Sequence, residues 1–247
     1  MRLRWHSGRQ VLLMPRKKII FAIVEGPSDE EALAVIMSRI YDRNSVYFHI
    51  LHHDLTSEFG VEPNNVVSKV GDLVKSYARQ NPFKQSDFYQ IIHIVDMDGA
   101  FVSNDVIVED ESHEKPYYSE TEIRTKNKSG IEERNRRKQE NLNRLSATHT
   151  IWKIPYSIYY MSCNLDHALY GKLNSTDAEK EQDAFQFAKR YRNDISSFLK
   201  FINESDFSVI GDYAATWKYI KEDCHSLERH TNLGICFDKV VQEESGK

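Results

Sequence analysis

Three apolar runs in this sequence lead to acids. Ile23-Val24 leads to Glu25-Gly26, and Ile91-Ile92-His93-Ile94-Val95 leads to Asp96-Met97-Asp98-Gly99. The third run, Thr150 to Tyr160, is followed by Asp166. Carboxylates one residue apart repel each other, and a divalent cation relieves the repulsion; hard oxygen ligands suit Mg²⁺ or Mn²⁺. Such an ion lowers the pKa of an attacking water, and the same ion or a second one neutralises charge on a leaving oxygen. A carboxylate left free of metal can shuttle a proton. The chemistry that suits this set is phosphodiester cleavage. Turn-forming acids that merely close strands have the same appearance.

Strands must carry these acids to one place. Lys18 to Val24 and Ile91 to Val95 are near-continuous apolar runs, as expected of strands buried on both faces of a parallel sheet. Val46 to Leu51 predicts a strand between them, and Thr150 to Tyr160 a fourth. Helical spacing follows the first strand (Ala32, Leu33, Ile36, Ile40), with Ser28 and Glu31 placed for a capping box and Asp29 and Glu30 in the first turn. A second helix is predicted over Val66 to Ala78, stopped by Asn81-Pro82. The order β-α-β-α-β predicts an α/β fold with a mostly parallel sheet flanked by helices. Open folds of this kind place ligands at the carboxyl ends of their strands. Adjacent strands lie about 5 Å apart, so acids at neighbouring tips can meet.

The remainder divides by composition. Residues 1–17 form a basic extension, of which the first thirteen are expected to add little to the fold. The α/β domain spans 18–171 and contains a charged insertion, 104–150. Within it, Asn104 to Ile123 carries a net charge of −6 and Arg124 to Arg144 one of +5. Ile131 to Leu145 reads as a polar helix. It has the look of a solvated face, but it follows the acidic strand tip, so Arg134, Arg136, Arg137 and Lys138 are candidates to meet nucleic-acid phosphates. Ser162 is placed to cap a short helix bearing Asp166. Residues 172–247 read as a helical C-terminal region, with one long amphipathic helix from Asp177 to Ile202 and another from about Asp212 to Leu227. The tail after Val240 is polar.

Composition narrows the class. The 247 residues carry a net charge of −4, so any basic nucleic-acid footprint must be local. No apolar stretch is long enough for a membrane span. Cys163, Cys224 and Cys236 form no C-x-x-C pattern and no even disulfide framework, which predicts a reducing, cytoplasmic setting. His52-His53-Asp54 looks superficially like a metal site, but adjacent residues of an extended chain face opposite ways.

Two of these motifs carry a family resemblance. Ile-Val-Glu-Gly-Pro-Ser-Asp-Glu at 23–30 and Ile-Val-Asp-Met-Asp-Gly at 94–99 resemble the signatures of the TOPRIM domain, with 71 residues from Glu25 to Asp96. That domain is found in topoisomerases, bacterial primases, the RNase M family and OLD-type nucleases. The resemblance covers about residues 18–171. It implies a Rossmann-like TOPRIM fold, with Glu25 as general acid/base or metal ligand and Asp96 and Asp98 holding Mg²⁺. The OLD-like pattern adds a second acid after the glutamate, here Asp29 with Glu30 as substitute. It also adds a serine and an acid after the next strand, here Ser162 and Asp166, although a glutamate is commoner at the last place.

The late segment resembles stand-alone TOPRIM nucleases of phage-defence systems, which often act with an ABC-type ATPase. The chain has no Walker A loop, so that ATPase would be a separate partner. The implied function is a Mg²⁺-dependent nuclease, acting on DNA or RNA (tRNA included) as a toxic effector; oligomerisation is left open. Two other functions fit parts of the chain. Asp96-Met97-Asp98-Gly99 also resembles the first motif of haloacid-dehalogenase-type phosphatases, with Asp96 as nucleophile, although Ala100 stands where that motif continues with Thr. A non-catalytic TOPRIM-like subunit would use the aromatic stripe after residue 171 to dock a partner; packing of that stripe on its own sheet is the simpler expectation.

Overall fold

A computed structural model describes residues 18–41 and 46–237. The basic extension and the polar tail therefore lie outside the described residues. The chain runs β1 (Lys18–Val24), α1 (Pro27–Tyr41), β2 (Val46–His52), α2 (Val66–Gln80) and β3 (Phe88–Asp96), in the predicted order. The insertion then forms β4 (Ile107–Glu109), β5 (Tyr117–Tyr118), β6 (Ile123–Thr125), α3 (Lys128–Ser146) and β7 (Thr150–Ile151). It is followed by β8 (Ile154–Met161), a π-helical turn (Asp166–Tyr170), α4 (Asp177–Tyr191), α5 (Ile195–Glu204) and α6 (Tyr213–Tyr219).

The main sheet has five strands in the order β2-β1-β3-β8-β7. The first four are parallel and β7 is antiparallel to β8. The central strand is β3, and its residues Ile91 to Val95 are all buried. Alternate residues of β1 serve two cores. Ile20, Ala22 and Val24 pack with Leu33, Ile36, Phe187, Tyr191, Phe198 and Ile202, which come from α1, α4 and α5. Ile19, Phe21 and Ile23 pack on the opposite face with Val70 and Val74 of α2, Leu142 and Leu145 of α3, and Trp217 of α6. A strand buried on both faces needs this double cover, and that explains why its sequence is apolar throughout. A smaller sheet, β4-β6-β5, has its own core of Val102, Ile107, Ile123, Ile131 and Leu227.

Several sequence expectations are corrected. The helix after β1 begins at Pro27, two residues earlier than the Ser28 cap requires. Asp29 is then its third residue, and its Oδ2 accepts from the Gly26 N–H at 2.9 Å, which is the acid's half of a capping box. The predicted fourth strand is a hairpin. Trp152 and Lys153 turn it with φ of +49° and +57°, two successive left-handed residues as in a type I′ turn. The long helix 177–202 breaks at Asp194, whose side chain caps α5 by accepting from Ser197 N–H at 3.0 Å. The last helix stops at Tyr219, and turns follow it. Ser162 caps nothing; Asn164 Oδ1 accepts from His167 N–H at 3.0 Å instead. Of the aromatic stripe, Tyr191 and Phe198 pack inward with β1, as does Phe187, whereas Phe185 is 52% exposed.

Among the described residues no helix is long and apolar enough to cross a membrane.

Candidate active site

The ladder register brings the strand tips level. Ile23 stands beside His93 and Asp96 beside Met161, so Glu25, the Asp96–Asp98 turn and the exit of β8 share one edge of the sheet. Beyond β3 the pairing continues, with Met97 N–H donating to Met161 O at 2.9 Å and Asp98 N–H to Cys163 O at 2.7 Å. Asp98 and Gly99 then turn the chain with φ of +48° and +67°. A Cβ on Gly99 would lie 2.6 Å from Leu227 Cδ2 and 2.9 Å from Ile123 Cδ1, so both the backbone and the packing require glycine.

The helix of the insertion holds this turn. The buried face of α3 runs Ile131, Asn135, Lys138, Asn141, Leu142 and Leu145, at helical spacing. Apolar members anchor it, and polar members reach into the strand tips. Arg134 Nη2 donates to Asp98 O at 2.9 Å and Asn135 Nδ2 to Gly99 O at 3.2 Å. Asn141 Nδ2 donates to Thr56 O at 3.0 Å and Val61 O at 3.1 Å, while Arg137 reaches Ser57 O at 3.4 Å. One helix therefore fixes both the loop after β2 and the turn after β3.

At the centre lies Lys138, whose side chain is fully buried. Its Nζ donates to Glu25 Oε2 at 3.2 Å and to Asp98 Oδ2 at 2.5 Å. The other oxygen of Glu25 accepts from Thr56 Oγ1 at 2.8 Å. Asp54 Oδ1 accepts from the N–H groups of Thr56 and Ser57 at 3.0 and 3.1 Å. Asp96 Oδ1 accepts from Leu165 N–H at 3.0 Å. Asp166 lies beyond Asp29, with Lys180 Nζ 3.7 Å from its Oδ2 and its Oδ1 buried without a partner.

The electrostatics divide these acids. Burial, with Asp54 and Asp98 adding to it, raises Glu25 to about 8 against the pull of Lys138. Burial first, then Asp29, Glu25 and Asp98, push Asp96 well above the ordinary range. Burial raises Asp29 to about 6, although the Gly26 N–H opposes it; the nearby Asp166 adds to the rise. Burial also acts upward on Asp98 and Asp54, but there the opposing groups win. Lys138 and Arg134 lower Asp98, and Lys138 with the Ser57 and Thr56 hydrogen bonds lowers Asp54 to about 2. Burial disfavours the Lys138 ammonium, yet Asp98, Glu25, Asp54 and Asp96 together hold its proton above the ordinary range.

Six carboxyl groups thus stand near Lys138, Lys180 and Arg134, and burial above all keeps Glu25, Asp29, Asp96 and Asp166 above their ordinary range. A hard-oxygen donor set short of positive charge fits a divalent ion. Among the described residues no three His, Cys, Asp or Glu side chains already surround a common metal position. Lys138 stands between Glu25 and Asp98 and bridges them.

Of the residues singled out in the sequence, Glu25, Asp96 and Asp98 come together, and Asp29 and Asp166 extend the group on one side. Lys138 lies among the carboxylates, where it meets acids and no surface. Arg134 is pinned by Asp98 O, Asn135 Oδ1 and the Tyr118 hydroxyl, the last at 2.6 Å. Arg136 is exposed and paired with Glu133 and Glu140; Arg137 keeps a buried Nε without a partner. Ser162 is buried and accepts from His230 N–H at 2.6 Å, which ties down the C-terminal segment. Glu30 faces outward against His52, at 2.7 Å. His53 pairs with Glu58 at 3.3 Å, so of His52-His53-Asp54 only Asp54 turns inward. Asp54 was set aside with its two histidines, and Thr56, Asn135 and Asn141 were not singled out. The available signals were the Asp54-Leu55-Thr56-Ser57 turn and polar residues in register with Ile131 and Leu145.

The class that fold and site define is an α/β protein with a mostly parallel sheet flanked by helices, carrying a carboxylate cluster at its strand tips. No protein-family model, no curated protein and no solved structure matches this chain.

Proposed function

We propose that this protein is a metal-dependent nuclease that cleaves phosphodiester bonds at the tips of β1 and β3. The observation that carries it is the convergence of Glu25, Asp54, Asp96 and Asp98 around one buried lysine. Glu25, Asp96 and Asp98 are the residues that would hold Mg²⁺ or Mn²⁺. Such an ion, when bound, supplies Lewis-acid polarisation of a phosphoryl oxygen and acidifies water. The chain's own groups set the stage for it. Lys138 orients the Glu25 and Asp98 carboxylates and offsets part of their charge. Arg134 and Asn135 hold the backbone that presents Asp98. Asp29, with a pKa of about 6, can take up or release a proton near neutral pH. Asp96 is a poor nucleophile here, since burial and three neighbouring acids favour its neutral form, and this weighs against an aspartyl-phosphate route.

The TOPRIM resemblance supports the same activity. A role as an anti-phage effector beside a separate ABC-type ATPase rests on that resemblance alone. The test offers plasmid, single-stranded DNA and tRNA to the purified chain in Mg²⁺ or Mn²⁺. Cleavage that disappears in Glu25→Gln and in Asp98→Asn supports the proposal; equal cleavage by these variants, or none by the wild type, rejects it.

A further inference from the structure

Beside the carboxylates lies a cavity of about 340 Å³ between the β5 loop and the segment that follows β8. His113, Lys115, Tyr117, Tyr118, Asn164 and Lys180 line it. Tyr117 is 46% exposed and its ring stacks on His113, with centroids 4.7 Å apart and planes within 19°. Its wall is rigid. The Asn174 side chain pairs with both the N–H and the C=O of Tyr118, each at 2.8 Å. In the same wall the Ser175 hydroxyl is buried and has no hydrogen-bond partner. The cavity is wired to both ends of the carboxylate group. Asn164 precedes Leu165, whose N–H binds Asp96, and the Tyr118 hydroxyl accepts from Arg134, which binds Asp98 O. Glu114 in the wall is paired with Lys126 and Lys180 lies 3.7 Å from Asp166, while Lys115 also lines the cavity.

The geometry points to a pocket for one unpaired nucleobase of the polynucleotide that the carboxylates cleave, so that the substrate is single-stranded at the cut. This deepens the nuclease proposal and rests on it. A braced aromatic platform beside cations is how single strands are held, because every base offers a face to stack. A base inside a duplex has both faces covered, and it enters a recessed cavity only when splayed out. The Asn164 amide in the wall suits the edge of such a base, and Lys115 suits a flanking phosphate.

The test uses the full chain in Ca²⁺, with a fluorescein-labelled 12-nucleotide single strand and a blunt duplex of equal length. Fluorescence anisotropy is expected to show the single strand binding at least about tenfold more tightly. Tyr117→Ala should weaken that binding by between about fivefold and a hundredfold, and Tyr117→Phe should retain it. Equal or tighter duplex binding, or no loss in Tyr117→Ala, overturns the pocket. Hydrolysis of bis(p-nitrophenyl) phosphate by the wild type in Mn²⁺ separates the two proposals, since this diester carries no base. Hydrolysis without the binding pattern rejects the pocket alone. The binding pattern without hydrolysis supports the pocket and rejects the carboxylate chemistry.

Discussion

Replacing Lys138 by Met probes the centre of the site. The substitution keeps most of the apolar stem and deletes the buried ammonium, which leaves Glu25 and Asp98 without their shared partner. Breaking a buried ion pair on one side costs roughly 3–5 kcal/mol. Glu25 and Asp98 retain 10% and 23% of their side-chain exposure, so water shields part of the loss and the lower figure, about 3 kcal/mol, is expected. For a chain of this size that is a fall in Tm of roughly 6–12 °C in EDTA at pH 8. Divalent metal should return much of it, because an ion at a hundred times its Kd adds about 2.7 kcal/mol. Differential scanning fluorimetry of wild type and Lys138→Met, each with EDTA or Mn²⁺, makes the comparison, and the variant should gain more from Mn²⁺ than the wild type. A variant within about 1 kcal/mol of wild type, or one deaf to Mn²⁺, would refute the assignment of Lys138 as a charge partner within a cation site.

Three further outcomes follow from the same geometry. Asp29→Asn should abolish cleavage while Glu30→Gln keeps it within about twofold, because only Asp29 faces the acids; nuclease assays on both decide between them. Gly99→Ala forces a methyl group into Leu227 and Ile123 at a positive φ, so chemical denaturation should show a loss of about 1–3 kcal/mol, together with reduced activity. In EDTA, stability should fall as pH rises from about 4.5 to 8. Glu25, raised to about 8, holds a proton that the unfolded chain releases near pH 4.5, and Asp29, raised to about 6, adds to the fall up to about that pH. His93, lowered to about 3 by burial, stays neutral while the unfolded chain takes up protons below about pH 6.5, so it opposes part of the fall below that pH. A Tm that climbs steadily to pH 8 without metal would contradict those assignments.

The parallel core was legible because its physics is local to each strand. A strand buried on both faces must be apolar at every position, and β1 and β3 announce themselves by that alone. The acids at their ends followed from the same runs. Elements whose ends depend on one side chain were harder. The turn at Trp152-Lys153 uses two non-glycine residues at positive φ, and nothing in Ile151-Trp152-Lys153-Ile154 advertises it. The break at Asp194 is a cap within an apolar periodicity that continues past it. Lys138 misled for a different reason. A lysine in a basic, polar helix reads as surface, and only the distant Glu25 and Asp98, 113 and 40 residues away, make its burial tolerable. Asp54 was obscured by two histidines that turn to surface acids instead.

The most direct measurement is anomalous diffraction from crystals of the protein soaked in Mn²⁺, recorded near the manganese edge. A peak is expected at the tips of β1 and β3, within direct or water-bridged reach of Glu25, Asp96 and Asp98. It should vanish in crystals of Asp96→Asn. A manganese peak elsewhere, or none at saturating Mn²⁺ with Lys138 still bridging Glu25 and Asp98, would contradict it.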